Sequence, residues 1–159
     1  MFNVELYKGT KEKNYELVLK QLAALIEDET DRIANLSNAS SLLNQFLDQV
    51  NWVGFYLTAG DELVLGPFQG LPACVRIPFG KGVCGTSALE RKTLRVEDVH
   101  LFPGHIACDA ASQSEIVVPI IKNGELIGVL DIDSPIKNRF DETDQTMLER
   151  FAGILAKHI

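Results

Sequence analysis

The spacing of apolar residues predicts two helices at the start of the chain. From Lys11 to about Glu29 the apolar side chains recur at helical intervals and fall on one face. A second segment continues with the same interval, and we expect it to pack beside the first. The first stripe consists of Tyr15, Val18, Leu22, Leu25 and Ile26, and the second of Ile33, Leu36, Leu43, Phe46, Leu47 and Val50.

A strand pattern replaces the helical one after residue 51. Residues 52–57 are aromatic and β-branched, and a polar turn at 59–62 leads back into residues 63–65. The clearest hairpin is predicted around Asn123-Gly124, because this dipeptide favours the type I′ turn. The other predicted elements are the hairpin strands at 114–121 and 126–133, strands at 74–78 and 93–96, a helix at 83–91, and a final helix that Asp141 caps and that buries Met147, Phe151, Ile154 and Leu155.

One long connection separates these elements. Residues 97–113 mix Asp, Pro, Gly and His with single apolar residues, and 17 residues is long for a connection without a role in a compact domain. The whole order is helix, helix, several strands with short helices between them, and a final helix. It predicts one α+β domain over residues 1–159, with a central, mostly antiparallel β-sheet flanked by helices.

Composition and charge exclude several classes of partner. The 159 residues carry a formal net charge of -7, which repels a phosphate backbone, so we expect no binding to nucleic acid. No apolar run approaches the roughly 18 residues that span a bilayer, and the N-terminus shows no export signal. We therefore predict a cytoplasmic protein without membrane contact. Its three cysteines, an odd number, are then reduced thiols rather than a structural disulfide framework.

The three cysteines, Cys74, Cys84 and Cys108, are the first candidates for chemistry. A free cysteine is commonly a small buried hydrophobe, and this alternative stays open for Cys74 on its predicted strand. Cys84 begins a predicted helix, where the macrodipole lowers the pKa of a thiol. Cys108 lies in the long connection, three residues after His105, where a thiol can reach a substrate and then a partner thiol. We therefore predict that Cys108 is the nucleophile.

Zinc binding is the competing hypothesis for these cysteines. His100 and His105 add further ligand types to the set. Apart from a single His-x-x-Cys, however, the paired spacing of structural zinc sites is absent. We accordingly predict no metal ligand and no cofactor.

Five further residues predict a pocket for a small polar ligand. Asp131 and Asp133 would share one face of a strand, and the hairpin would bring Glu115 beside them. Such neighbouring carboxylates persist if they hold a cation, share a proton or lie at a solvated strand end, and all three alternatives stay open. Trp52 and Tyr56 would share a face of their own strand. They would either pack in the core or form a wall against a sulfur-containing group.

Five segments of the sequence resemble the free methionine-R-sulfoxide reductases, which are stand-alone GAF-domain enzymes. The three cysteines, spaced by 10 and 24 residues, are more specific than any single motif, and the resemblance runs from about Tyr15 to Phe151. The segments are NWVGFY at 51–56, GPFQGLPAC at 66–74, GKGVCG at 80–85, FPGHIACD at 102–109 and GVLDIDSP at 128–135.

The resemblance implies a GAF-like fold and a thiol mechanism. Cys108 would attack the sulfoxide sulfur of free methionine-R-sulfoxide and become a sulfenic acid. Cys84 would then form a disulfide with Cys108, Cys74 could be a second resolving thiol, and thioredoxin would restore the thiols. The side chains implied to bind the substrate and to protonate its oxygen are Glu115, Asp131 and Asp133, and those implied to line the pocket are Trp52 and Tyr56.

A non-catalytic GAF module that binds a small ligand is the alternative function. The fold alone does not separate the two functions, because one fold hosts many activities. The three spaced cysteines favour the enzyme, since a protein that only binds a ligand has no need of them. Backbone N–H groups of residues 97–113 are the expected partners of the substrate carboxylate. The sequence leaves the oligomeric state open, including a homodimer.

Overall fold

Four α-helices and six β-strands form the chain in the computed structural model, which describes Phe2, residues 7–106 and residues 108–159. The helices are α1 (Lys11–Ile26), α2 (Arg32–Phe46), α3 (Gly82–Glu90) and α4 (Glu142–Ala156). The strands are β1 (Trp52–Ala59), β2 (Glu62–Gln69), β3 (Arg76–Pro78), β4 (Leu94–Val96), β5 (Ser114–Lys122) and β6 (Glu125–Ser134).

The six strands form one sheet in the order β3-β2-β1-β6-β5-β4. Every neighbouring pair is antiparallel, so the predicted α+β class with an antiparallel sheet is confirmed. The β5–β6 hairpin turns at Asn123 and Gly124, whose φ angles of 52° and 80° are those that a type I′ turn requires. A bulge between Ile120 and Ile121 then shifts the register by one residue, and this shift aligns the polar side chains at the other end of the two strands.

Two apolar layers cover the two faces of the sheet. On one face α1, α2 and α4 bury the larger core, into which Val53 and Phe55 of β1 point. On the other face α3 covers a smaller cluster that contains Trp52 and Tyr56 of the same strand. This alternation follows from the period of two along a strand. All side chains with candidate chemistry in β1, β5 and β6 therefore belong to the α3 face.

Several boundaries differ from the sequence-based prediction. Helix α1 ends at Ile26. Helix α2 ends at Phe46, because the next residue, Leu47, already has extended backbone angles. Strand β2 runs on to Gln69, whereas β3 starts only at Arg76 and so excludes Cys74. Ile33, placed in the apolar stripe of the second helix, is 57% exposed and belongs to the outer surface of that layer.

The described residues of the long connection are mostly irregular, as predicted, and include a 3-10 turn at Val99–Leu101. Ala107 lies outside the described residues, and so do most of the N-terminal residues in which we found no export signal. Among the helices of the described ranges, none is long and apolar enough to cross a membrane.

Candidate active site

A small cavity of about 40 Å³ opens between α3, the sheet and two connections on the α3 face. Its sides are formed by residues 71–73, which precede β3, and by His105, Ile106, Cys108, Asp109 and Ser112. Its lining includes seven of the eight side chains selected from the sequence, and Cys74 is the eighth. The seven are Trp52, Tyr56, Cys84, Cys108, Glu115, Asp131 and Asp133.

Three carboxyl groups, Glu115, Asp131 and Asp133, form an acid cluster at the floor of the cavity. Glu115 lies directly opposite Asp133 in the β5–β6 ladder, and Asp131 lies two residues away on the same face. The predicted approach of Glu115 to the two aspartates is therefore confirmed. Glu115 and Asp131 are only 6% and 5% exposed, which excludes a solvated strand end. The Oδ1 atom of Asp131 has no hydrogen-bond partner in the described structure.

Burial raises the pKa of every carboxyl in the acid cluster. The pKa of Glu115 lies well above its usual range because of desolvation and then because of the charges of Asp131 and Asp133. Desolvation and Asp131 raise the pKa of Asp133 in the same way, and burial raises that of Asp131. The acid cluster therefore binds protons more tightly than exposed carboxyl groups do. It can donate one of them to a ligand oxygen or release it when a cation binds.

Cys84 faces this acid cluster from α3. Its side chain is buried, and its Sγ is 3.9 Å from Oε2 of Glu115. Burial, and then the charges of Asp131 and Glu115, raise the pKa of the thiol well above its usual value. The predicted lowering of this pKa by the helix terminus is therefore wrong. Desolvation and neighbouring carboxyls outweigh the macrodipole at this position.

The structure joins Cys74 and Cys108 in a disulfide, with their Cα atoms 5.6 Å apart. Cys84 remains a free thiol. The expected Cys84–Cys108 pair is thus not the pair that the structure contains. The physical reason is placement: Cys74 precedes β3 in a connection at the edge of the cavity, whereas Cys84 points from a helix into the floor. Cys108 belongs to the cavity lining, and Cys74 lies outside it.

Trp52 and Tyr56 do more than pack against the cavity. Their rings stack with centroids 5.8 Å apart. The indole Nε1 of Trp52 donates to the carbonyl of Leu71 at 3.1 Å, and the Tyr56 hydroxyl donates to the carbonyl of Cys74 at 2.9 Å. Both aromatic residues therefore hold the backbone that carries Cys74. No local sequence pattern indicated these two hydrogen bonds, because they reach across to a separate connection.

Asn51 fixes the other cysteine-bearing connection, and sequence analysis missed this role. Its amide Nδ2 donates to Asp109 at 3.0 Å and to Ser112 at 3.2 Å. Its backbone N–H donates to the carbonyl of Asp133 at 2.9 Å. Asn51 thereby ties the residue after Cys108 to the strand that carries the acid cluster. Its place directly before the strand in NWVGFY was the one available signal.

The first turn of α3 adds positive character to an otherwise acidic cavity. Gly82 and Val83 line the cavity together with Lys81, which precedes the helix and makes no capping hydrogen bond through its side chain. Gly82 has a φ of 63°, a value that favours glycine and lets the chain turn sharply into the helix. The N–H groups of a first helical turn have no partner within the helix and attract anions.

The zinc hypothesis loses two of its cysteines in this structure. The sulfurs of Cys74 and Cys108 are bonded to each other. Cys84, Glu115 and Asp131 each offer one atom, and these atoms lie within 4.8 Å of one another. The histidines that motivated the hypothesis are not part of this group. The absence of a resident metal stays a prediction, which metal analysis of the isolated protein checks.

Replacing Glu115 by glutamine is expected to stabilise the empty protein increasingly as the pH rises. Folding raises the pKa of Glu115. Below the unfolded-state pKa of about 4.3, the carboxyl is protonated in both the folded and the unfolded protein, so its burial does not lower the stability of the fold through ionisation. Above that value the unfolded chain releases its proton first, which favours unfolding. Each pKa unit between the two states costs the wild type about 1.4 kcal/mol. Urea unfolding at pH 4 and pH 8 measures the difference, and an equal change at both values contradicts it.

The comparisons with known proteins agree with this geometry. The sequence pattern of the GAF domain family matches residues 21–159. Protein YtsP of Bacillus subtilis is 64% identical over 99% of this chain and 98% of its own length. The free methionine-R-sulfoxide reductase of Escherichia coli is 50% identical over 92% of this chain and 89% of that protein.

A solved structure adds the overall shape. The free methionine-R-sulfoxide reductase from Neisseria meningitidis, in complex with its substrate, superimposes with a TM-score of 0.95 at 47% identity. The match covers 99% of this chain and 95% of that one. The similarity therefore extends over the strands, helices and connections that build the cavity.

Proposed function

Because this chain belongs to the free methionine-R-sulfoxide reductases of the GAF domain family, we propose that it reduces free methionine-R-sulfoxide to methionine with Cys108 as the nucleophile. The observation that carries the proposal is the disulfide of Cys108 beside the buried acid cluster. Such a disulfide is what remains on a thiol enzyme after one reduction of a sulfoxide.

Cys108 suits the attack better than Cys84 does. The raised pKa of Cys84 keeps its thiol protonated, and the thiolate is the nucleophilic form. The Cys108 thiolate would attack the sulfoxide sulfur while the sulfoxide oxygen accepts a proton. The bond that this attack forms between the two sulfurs breaks again as the oxygen passes from the substrate sulfur to Cys108, so methionine leaves and Cys108 becomes a sulfenic acid.

The acid cluster supplies both the proton and the site for the substrate's ammonium group. A carboxyl whose pKa is raised by burial holds its proton more tightly than an exposed one and would donate it to the departing oxygen. The unpartnered Oδ1 of Asp131 is a buried acceptor for an N–H of the ammonium group. A methionine sulfoxide residue within a protein presents a neutral amide at this position and leaves the carboxylate unpaired, so the site favours the free amino acid.

The substrate carboxylate would meet the first turn of α3 and Lys81 on the opposite side of the cavity. Both lie in the lining, and both favour an anion. We therefore propose the first turn of α3 and Lys81 as the donors to the substrate carboxylate, in place of the backbone N–H groups of residues 97–113 that were expected from the sequence.

Cys74 would resolve the sulfenic acid. Its thiol attacks the Cys108 sulfur, the Cys74–Cys108 bond forms and water leaves. A thioredoxin in the cytoplasm would then reduce the disulfide, which is the recycling that the sequence resemblance implies. A non-catalytic GAF sensor is the alternative function. Size-exclusion chromatography with light scattering tests separately whether the protein forms a homodimer.

Incubation with racemic free methionine sulfoxide and dithiothreitol tests the proposal. The R form should disappear and yield an equal amount of methionine, while the S form persists. Binding of methionine sulfoxide without its consumption would contradict the proposal and favour the sensor.

Replacing Cys74 by serine is expected to stop recycling without stopping chemistry. The reduced variant should form about one methionine per chain and then stall with thioredoxin as the only reductant, because its sulfenic acid has no resolving thiol. Cys84→Ser is the matched control, since Cys84 forms no disulfide here, and it should recycle with thioredoxin. Sustained thioredoxin-dependent turnover by the Cys74 variant would contradict the resolving role.

A further inference from the structure

Three buried side chains of the cavity form a donor set that suits a divalent cation. Cys84, Glu115 and Asp131 offer one sulfur and two carboxyl oxygens, and these atoms lie within 4.8 Å of one another. The Sγ of Cys84 is 3.9 Å from Oε2 of Glu115. Bond lengths of about 2.0–2.3 Å in a tetrahedral zinc site separate neighbouring ligand atoms by roughly 3.3–3.7 Å. Small side-chain movements are therefore enough to bring all three atoms onto one ion.

The acid cluster has no cationic partner in the described part of the chain. None of the ion pairs there includes Glu115, Asp131 or Asp133, and Lys81 of the cavity lining takes part in none of them either. Asp131 is only 5% exposed, yet its Oδ1 atom has no hydrogen-bond partner among the described residues. A buried acceptor without a partner indicates a bound ion, water or ligand. This oxygen, on the cavity wall, can therefore accept a metal ion as well as an N–H group.

The chemistry of the three ligands selects among metal ions. Mg²⁺ and Ca²⁺ prefer shells made of oxygen ligands, whereas Zn²⁺ binds thiolate and carboxylate together in four-coordinate sites. Three protein ligands leave the fourth position to a water molecule. The cavity of about 40 Å³ has room for it, because one water requires roughly 10–15 Å³. The donor set therefore favours Zn²⁺.

The disulfide does not compete for these ligands. Cys74 and Cys108 are bonded to each other, and Cys84 is a free thiol in the same state. Binding of an ion by Cys84 and the two carboxyl groups therefore requires neither of the other two cysteines.

We propose that Cys84, Glu115 and Asp131 form a binding site for Zn²⁺ that excludes the substrate. The exclusion rests on the proposed function, because it assumes that the ammonium group of the substrate pairs with Asp131. When the ion binds, the Cys84 thiol releases its proton to solvent and becomes a ligand as the thiolate. The ion and the ammonium group need the same carboxylate, so only one of them is bound at a time.

This ion is an inhibitor taken up from solution and not a cofactor of the reaction. The site departs from the sequence-based prediction that no residue is a metal ligand. The reason is that Cys84 lies on α3 and the two carboxyl groups lie on β5 and β6, so only the fold brings their side chains together.

Binding of Zn²⁺ to the oxidised protein tests the site without turnover. In this state Cys84 is the remaining thiol of the three cysteines. Competition with a chromogenic zinc chelator, in buffer without thiols, should show one Zn²⁺ per chain. Cys84→Ser should weaken this binding at least about a hundredfold, because residues that merely orient a metal ligand already contribute roughly 10- to 100-fold. Asp131→Asn should weaken it too, whereas the matched control Asp61→Asn, in the exposed turn after β1, should not.

Co²⁺ in place of Zn²⁺ gives a spectroscopic readout that a merely structural role of Cys84 would not produce. A thiolate-to-cobalt charge-transfer band should appear in the oxidised wild type and in Asp61→Asn. The same band should be absent from Cys84→Ser, even if that variant retains some affinity for the ion through its carboxyl groups.

The double variant Cys74→Ser/Cys108→Ser tests the exclusion of the substrate. It keeps Cys84 as its one thiol, cannot form the disulfide and lacks the proposed nucleophile, so methionine sulfoxide is bound but not consumed. Free methionine-R-sulfoxide should raise the apparent Kd for Zn²⁺ in proportion to its concentration. N-acetylmethionine-R-sulfoxide, which lacks the ammonium group, is the matched control and should leave the Kd unchanged.

The outcomes separate the metal site from the proposed function. Equal Zn²⁺ affinity in wild type and Cys84→Ser would overturn the site, and so would binding that does not saturate at one ion per chain. Binding that depends on Cys84 but that free methionine-R-sulfoxide leaves unchanged would overturn the exclusion of the substrate. Methionine formation is measured without Zn²⁺, so a protein that binds the ion as described but yields no methionine counts against the proposed function alone.

Discussion

Replacing Cys108 by serine should lower the rate of methionine formation by the reduced protein by at least about a thousandfold. Loss of an essential nucleophile has effects of this size or larger, because the remaining groups bind the substrate but cannot form the covalent intermediate. The measurement is methionine released from free methionine-R-sulfoxide in a single turnover. This assay reports on the attack itself, since no recycling step enters.

The structure offers a matched control for this variant. Cys74→Ser removes the same disulfide as Cys108→Ser, so both variants lose whatever stability this bond gives the oxidised protein. Cys74→Ser nevertheless keeps the proposed nucleophile. It should therefore retain the first turnover that Cys108→Ser loses. Single-turnover activity in Cys108→Ser, together with its loss in Cys84→Ser, would move the nucleophile to the buried thiol in the acid cluster.

Replacing Asp131 by asparagine should lower kcat/KM for the free amino acid roughly 30-fold to several thousandfold. This factor corresponds to a loss of about 2–5 kcal/mol in transition-state binding. This is the usual cost of removing one partner from a buried charge pair. The side chain keeps its shape, and the variant should fold, because the substitution also removes a carboxyl whose burial raises its pKa. The same change at Asp61, in the exposed turn after β1, is the control and should have little effect.

Substrate selectivity separates a binding role of Asp131 from a merely structural one. N-acetylmethionine-R-sulfoxide lacks the ammonium group, so its kcat/KM should be low in the wild type and nearly unchanged in the Asp131 variant. The ratio of the two substrates should therefore fall. An equal loss for both substrates would show that Asp131 supports the fold of the cavity and does not pair with the ammonium group.

Much of the fold was predictable because it depends on local patterns. The Asn123-Gly124 turn identified the β5–β6 hairpin, whereas the bulge between Ile120 and Ile121, which shifts the register by one residue and places Glu115 opposite Asp133, was not predicted. Helical spacing likewise found α1, α2 and α4. The extent of β2 and the late start of β3 were missed, since strand ends depend on pairing with neighbours that are distant in sequence.

The arrangement of the cysteines could not be predicted from sequence in the same way. The position of Cys84 at a helix start suggested a reactive thiol, but tertiary burial beside the acid cluster raises the pKa of that thiol. The pairing of Cys74 with Cys108 depends on two irregular connections meeting above the sheet. Trp52, Tyr56 and Asn51 hold those connections through hydrogen bonds that span 19, 18 and 58 residues of sequence, and no local pattern encodes such contacts.

The most direct test uses fully reduced protein, racemic free methionine sulfoxide and no added reductant. After quenching and alkylation, peptide mass spectrometry locates each cysteine product while chromatography measures methionine and the two sulfoxide forms. We predict about one methionine per chain, taken from the R form alone, with Cys74 linked to Cys108 and Cys84 alkylated. Protein that yields no methionine, or that yields it while Cys108 remains a free thiol, would contradict the account.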